Sequence, residues 1–149
     1  MSSLTLCLQS NNPNFYLKLA KLLYENHEID EAINAANYAI QLNSKFIPAI
    51  VFLAEIYESQ KKFDQVIYCY QQIASFQPEN SVAQAKIAGA MMRCGNLLGA
   101  IEFYKQATAL PNPPIWAYLG LAQCLEKNND LDQAITAYEQ LVYLENVCK

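Results

Sequence analysis

Apolar residues recur along this chain at the spacing of amphipathic helices, and short polar breaks interrupt the pattern. The breaks fall at residues 25–28, 59–62, 94–96 and 127–130. Helical spacing on both sides of a short polar break is typical of two antiparallel helices joined by a turn. The pattern therefore predicts a series of helix pairs.

The helix pairs belong to an internal repeat. The phrases IDEAINAANYA, FDQVIYCYQQI, LLGAIEFYKQA and LDQAITAYEQL begin at Ile29, Phe63, Leu97 and Leu131, so each lies 34 residues after the last. A regular period of this size is typical of repeat architectures. It divides the chain into an N-terminal segment, 1–12, and four blocks, 13–46, 47–80, 81–114 and 115–148. We expect the segment 1–12 to be loosely ordered or to form the remnant of a preceding second helix.

Small residues recur where the two helices of each block are expected to cross. A small side chain lets helix axes approach toward the near end of the usual range of about 8–10 Å. The recurring residues are Ala20, Ala54, Ala88 and Ala122 in the first helices and Ala32, Val66, Ala100 and Ala134 in the second helices.

The breaks between paired helices differ in their turn residues. Gly95 and Asn129 stand where a left-handed C-terminal cap is needed, and both residue types adopt that conformation readily. His27 and Lys61 occupy the corresponding positions in the first two blocks. We expect these two residues to make weaker turns.

These features together resemble the tetratricopeptide repeat. The resemblance includes the 34-residue period, the leucine and small residue early in the first helix, the alanine that opens the second, the aromatic residue four positions later and the proline of QPEN. It covers residues 13–148, with departures at Ala36, Ser44, Val66, Asn112 and Asn146. The resemblance implies an all-α fold, a right-handed α-solenoid of tetratricopeptide helix-turn-helix repeats.

The resemblance also implies a concave groove, lined by first helices, that receives a peptide or a partner helix. Comparison of the blocks indicates an apolar floor at Leu17, Val51, Ala85 and Leu119, beside positions whose chemistry changes from block to block. Trp116 is either a ligand anchor or a residue that packs over PNPPI. The predicted groove residues are Leu17, Lys21, Tyr24, Val51, Glu55, Glu58, Ala85, Gly89, Met92, Arg93, Trp116, Leu119, Gln123 and Glu126.

Composition narrows the function classes. The net charge of -4 and the scattered basic residues argue against nucleic acid as a partner. No apolar run approaches the ~18 residues that span a bilayer, so we expect no membrane partner. The five cysteines are odd in number and never form a CxxC pair, which favours a reduced, cytoplasmic protein without a metal or cofactor. The one histidine, His27, belongs to no catalytic motif, so we expect no enzyme activity in these residues.

Two function classes remain. The first is a protein–protein interaction module that binds a peptide or partner helix in the groove. The second is a regulatory or substrate-positioning region of a longer enzyme, such as a glycosyltransferase or methyltransferase. The last predicted helix carries Tyr138, Leu141, Val142 and Leu144 with no following block to cover them, so we expect either a piece of a longer protein or end-to-end self-association.

Overall fold

A computed structural model describes residues 10–148 of the chain. Over these residues it contains eight α-helices and no strand. First helices begin at residues 13, 47, 81 and 115 and second helices at 29, 63, 97 and 131, so the 34-residue period is kept in both series. The helices are α1 (Pro13–Glu25), α2 (Ile29–Leu42), α3 (Ile47–Ser59), α4 (Phe63–Phe76), α5 (Ser81–Arg93), α6 (Leu97–Ala109), α7 (Ile115–Lys127) and α8 (Leu131–Val147).

The chain divides into two compact units, and each is described by itself. The first unit ends at Lys62 and contains α1 to α3, whereas the second begins at Phe63 and contains α4 to α8. The division falls between the two helices of the second sequence block. The expectation for the segment 1–12 concerns residues that lie mostly outside the described range, since only residues 10–12 belong to it.

Asparagine side chains cap three of the helices. Asn12 Oδ1 accepts a hydrogen bond from Asn14 N at 3.0 Å, Asn80 Oδ1 from Ala83 N at 3.0 Å, and Asn96 Oδ1 from Gly99 N at 3.0 Å. These bonds satisfy amide groups that have no partner inside the helix. The local sequence, through the capping asparagine, therefore determines where α1, α5 and α6 begin.

The turns inside the four blocks share one backbone conformation at chain positions 27, 61, 95 and 129. The φ angles there are 63° at His27, 59° at Lys61, 85° at Gly95 and 63° at Asn129, all left-handed. The left-handed caps expected at Gly95 and Asn129 are confirmed. At the first turn His27 N donates to Tyr24 O at 3.0 Å and Glu28 N to Leu23 O at 2.9 Å, the paired bonds of a Schellman motif. Equivalent pairs of bonds close the turns at Lys61, Gly95 and Asn129.

Small residues are buried in both helices of a block at the places where the sequence predicts that the helices cross. Ala20 of α1 and Ala32 of α2 are fully buried in the first unit, and Ala88 of α5 and Ala100 of α6 are fully buried in the second. Their alanine side chains leave room for the helix backbones to approach. The larger core residue Ile50 lies in α3, and Ile73, Ile87 and Leu125 fill the second unit.

Tyr104 links the third and fourth blocks within the second unit. Its side chain is buried, and its ring lies against Gly120 of α7 so closely that a Cβ atom built on Gly120 would lie 2.3 Å from Tyr104 Cζ. Real Cβ atoms essentially never approach another heavy atom so closely. The ring of Tyr104 thus occupies the space that any side chain at position 120 would need.

The left-handed turns predict which substitutions stabilise the fold. Holding a residue other than glycine in this conformation costs about 1–2 kcal/mol, whereas glycine loses about 0.5–1 kcal/mol more backbone entropy on folding. His27→Gly and Lys61→Gly should each raise the free energy of unfolding by about 0.5–1 kcal/mol, measured by urea denaturation. Gly95→Ala should lower it by a similar amount.

Lys62→Gly is the control for these changes, because Lys62 is also exposed but has no positive φ. It should not raise stability. Equal effects of Lys61→Gly and Lys62→Gly would contradict the explanation.

The contact of Tyr104 with Gly120 predicts a context-dependent effect of alanine. Overpacking costs roughly 1–3 kcal/mol, and alanine in a helix gains about 1 kcal/mol over glycine. Gly120→Ala should therefore lower the free energy of unfolding by about 1 kcal/mol in urea denaturation. In a Tyr104→Ala background the same change should raise it. Destabilisation of the same size in both backgrounds would rule out the ring as the cause.

Candidate protein-binding surface

Exposed apolar side chains lie on two first helices of the second unit. Trp116 and Leu119 of α7 are one turn apart on the same side of the helix, and Val82 lies at the start of α5. Lys86, one turn after Val82, places its Nζ atom 5.4 Å from the centroid of the Trp116 ring. We call Val82, Lys86, Trp116 and Leu119 the Trp116 surface.

The contact between Lys86 and Trp116 holds the two helices' side chains together. An ammonium group at this distance from an indole ring is attracted to its π face. Trp116 is nevertheless 42% exposed, so part of this residue stays open to a ligand. An exposed Trp next to a cation can bind both an apolar side chain and a partner carboxylate.

The other end of these two helices is polar. Arg93 at the end of α5 lies 5.6 Å from the centroid of the Phe63 ring. The Glu126 carboxylate accepts a hydrogen bond from the Tyr138 hydroxyl at 3.0 Å, and Gln123 is exposed. Charges of both signs therefore occur along this edge, which does not favour a strongly charged ligand.

Two further predicted residues of the second unit are half-buried. Met92 lies with its Sδ atom 3.5 Å from the Sγ atom of Cys124. Gly89 lies next to the Tyr104 hydroxyl, since a Cβ atom on Gly89 would be 3.4 Å from that oxygen. These residues connect the surface to the core beneath it and offer a ligand only part of their area.

In the first unit the predicted residues lie on α1 and α3. The Tyr24 hydroxyl donates to Ser59 Oγ at 3.4 Å, and its ring meets that of Phe52 edge to face with centroids 6.0 Å apart. Tyr24 therefore joins α1 to α3. Lys21 and Glu55 are exposed, and Glu58 is half-buried. This surface carries more charged residues than the Trp116 surface, and none of its predicted residues is an exposed large apolar side chain.

The expected apolar floor is uneven. Leu17 and Ala85 are buried, Val51 is half-buried, and Leu119 alone is exposed. Leu17 belongs to a core cluster with Tyr16, Ala39 and Ala49, so its side chain is already covered by the protein. Leu17 and Ala85 thus serve the core, and a ligand would meet mainly Leu119 and part of Val51.

The list of predicted groove residues includes neither Lys86 nor Val82, although the comparison of blocks counts Val82 among the variable positions and Lys86 among the basic residues of the groove. A signal was present, because Val82 occupies the same place in its block as Trp116, and Lys86 follows Val82 by the four residues of one helical turn. The side-chain contact between Lys86 and Trp116 depends on the distance between two helices. That distance is not readable from spacing along one helix.

Burial and hydrogen bonding change the acidity of several groups. Burial raises the pKa of the Cys69 thiol to about 11 and also raises the pKa of Cys124. The hydrogen bond to Glu126 raises the pKa of Tyr138.

Among residues 10–148, no group of three or more His, Cys, Asp or Glu side chains is arranged to hold a metal ion. Within the same range no helix is long and apolar enough to cross a membrane.

Comparison with known proteins gives matches in sequence and in structure. Residues 95–146 match the family model described as tetratricopeptide repeat. Anaphase-promoting complex subunit 3 of Schizosaccharomyces pombe is 28% identical over 116 residues, which are 78% of this chain. The chain spans only 17% of the length of that relative.

Solved structures of MamA are among those that match. One crystal structure of MamA has a TM-score of 0.81 at 20% identity, covering 95% of this chain and 83% of that one. A MamA structure from Desulfovibrio magneticus has a TM-score of 0.78 at 15% identity, covering 93% of this chain and 78% of that one. At this level of identity the likeness shows a shared fold.

The repeated helix pairs and the shared fold define an all-α repeat protein, which confirms the predicted fold class. The chain is similar to tetratricopeptide repeat proteins, since the family model matches residues 95–146 and the helices keep the 34-residue period in all four blocks. These findings support a protein-interaction scaffold as its general class of function.

The burial of two cysteines predicts a reactivity pattern. Cys94 and Cys148 are exposed, whereas Cys69 and Cys124 are buried with raised pKa values. The thiolate is the reactive form, so in the folded protein at pH 8 a maleimide should modify Cys94 and Cys148 much faster than Cys69 and Cys124. Peptide mass spectrometry after labelling measures this.

A Cys7→Ser background removes the one cysteine that lies outside the described residues. In urea the four remaining cysteines should react at similar rates. If Cys69 in the folded protein is labelled as fast as Cys94, the described packing of α4 is wrong.

Proposed function

We propose that this chain is a protein-binding module that holds a peptide or a partner helix along its first helices, with the Trp116 surface as the main contact. The single observation that carries the proposal is the exposure of Trp116, Leu119 and Val82 on two first helices. Exposed apolar residues grouped on one surface commonly mark an interaction site.

The chemistry of the Trp116 surface suggests the kind of ligand. Trp116 and Leu119 favour an apolar side chain, and Lys86 beside the indole favours a carboxylate or a backbone carbonyl at the edge of the contact. Glu126 and Arg93 carry opposite charges near the other end of the same two helices. The proposed ligand is therefore an amphipathic segment with apolar anchors and small net charge.

The first unit carries polar candidate residues of its own. Lys21 and Glu55 are exposed, and Tyr24 presents part of its ring. Each offers hydrogen bonds or charge, which give specificity more than affinity. Similarity to a subunit of the anaphase-promoting complex supports a role in assembling proteins.

Selection of random peptides on the full chain tests this function. Peptides that bind should lose at least tenfold in affinity, about 1.4 kcal/mol, when Trp116→Ala or Leu119→Asp is introduced. Isothermal titration measures the loss, and circular dichroism checks that the helices remain.

Leu98→Asp is the matched control, because Leu98 is also an exposed apolar residue but lies on the second helix α6. It should leave binding unchanged. Peptides that bind Trp116→Ala and Leu119→Asp as tightly as the original chain would show that the Trp116 surface is not the binding site.

A further inference from the structure

The first helix exposes a stripe of residues that the later first helices bury. Phe15 and Leu22, two turns apart on α1, are 65% and 51% exposed. The corresponding residues of the later first helices are all buried. They are Ala49 and Ile56 on α3, Ala83 and Ala90 on α5, and Ala117 and Cys124 on α7. In these helices the stripe is covered, whereas on α1 it carries two large apolar side chains in the open.

The last helix exposes the complementary stripe. Ile135 is 56% exposed, whereas Ile101, its counterpart one block earlier, is 7% exposed. Tyr138 and Val142 continue the stripe along α8 and are also exposed. Their counterparts Tyr104 and Thr108 are buried or half-buried in α6.

Contacts inside the second unit show what covers such stripes. Tyr104 of α6 packs on Gly120 of α7, and the Tyr118 hydroxyl of α7 donates to Thr108 O of α6 at 3.5 Å. In the first unit, Ala39 of α2 and Ala49 of α3 share a core cluster. The side of a second helix that corresponds to residues 135, 138 and 142 is thus the side that receives the next first helix.

We propose that copies of this chain associate head to tail, with the exposed stripe of α8 in one copy covered by the exposed stripe of α1 in the next. The contact would use the sides of the helices through which α6 and α7 pack in the second unit, with Phe15 and Leu22 in the places of Ala117 and Cys124. Both halves of that packing are present on the chain, and the described residues cover neither.

Charge supports a second copy as the occupant. α8 carries Asp132, Glu139 and Glu145 and no lysine or arginine. α1 carries Lys18 and Lys21 against a single acid, Glu25. Two α8 helices facing each other would repel, whereas α8 facing α1 brings opposite net charges together.

The two stripes differ from each other, so the contact is heterologous. A heterologous contact leaves one free stripe at each end of a dimer and can therefore add further copies or close into a ring. It uses Phe15, Leu22, Ile135 and Val142, none of which belongs to the Trp116 surface. The proposal is therefore independent of the function proposed above.

Light scattering after size exclusion over a dilution series of the full chain tests the proposal. The average mass should rise from 16.8 kDa at low concentration to more than twice that value at high concentration. A head variant with Phe15→Glu and Leu22→Glu, and a tail variant with Ile135→Glu and Val142→Glu, should each remain monomeric. An equimolar mixture of the two variants should form a species of two chains and nothing larger, because one intact junction remains.

A control variant with Tyr68→Glu and Leu98→Glu also replaces two exposed apolar residues, but on α4 and α6. It should associate like the original chain. Circular dichroism of all variants confirms that the exposed substitutions leave the helices intact.

Three results would overturn the proposal. One is a chain that stays monomeric at every concentration. A second is a head variant that associates normally while the tail variant does not, which would indicate a symmetric contact through α8. The third is association that appears only after residues 1–9 are deleted, because that segment would then be the occupant of the α1 stripe.

Discussion

The structure depends on how closely two helices of one block can approach. Ala20 and Ala32 in the first block and Ala88 and Ala100 in the third have little side-chain bulk, and all four alanines are fully buried. Once the two helices are this close, the turn between them must reverse the chain within a few residues. The left-handed residue at each turn meets that requirement, and the cost of placing His27 or Lys61 there is met by packing on both sides.

The helix positions, helix crossings and turns were predictable because they depend on local sequence or recur in every block. The period predicts the positions of the helices, and the small residues at fixed places in each block predict the crossings. Gly95 and Asn129 predict their own turns, since these residue types favour left-handed backbone. His27 and Lys61 give no such signal, and their identical conformation follows from the same Schellman hydrogen bonds that close the other turns.

The candidate surface was less predictable, for a physical reason. Leu17, Ala85 and Leu119 hold the same place in their blocks, yet the first two are buried and the third is exposed. Accessibility depends on neighbours from other helices, such as Ala39 and Ala49 around Leu17, and these differ from block to block. A comparison of blocks shows which positions are free of the repeat's own packing, but it does not show how much of each side chain a ligand can reach.

The space that Tyr104 fills beside Gly120 also limits how the order of the repeat blocks can change. The corresponding residues at the preceding junctions are Tyr70 with Lys86 and Ala36 with Phe52, so the large and small members change places along the chain. With block 81–114 placed directly before block 47–80, Tyr104 would meet Phe52, two rings in a space that holds one. The blocks share a fold but not a common fitting surface. Gene duplication can multiply such a block, whereas shuffling its order requires both partners at a junction to change together.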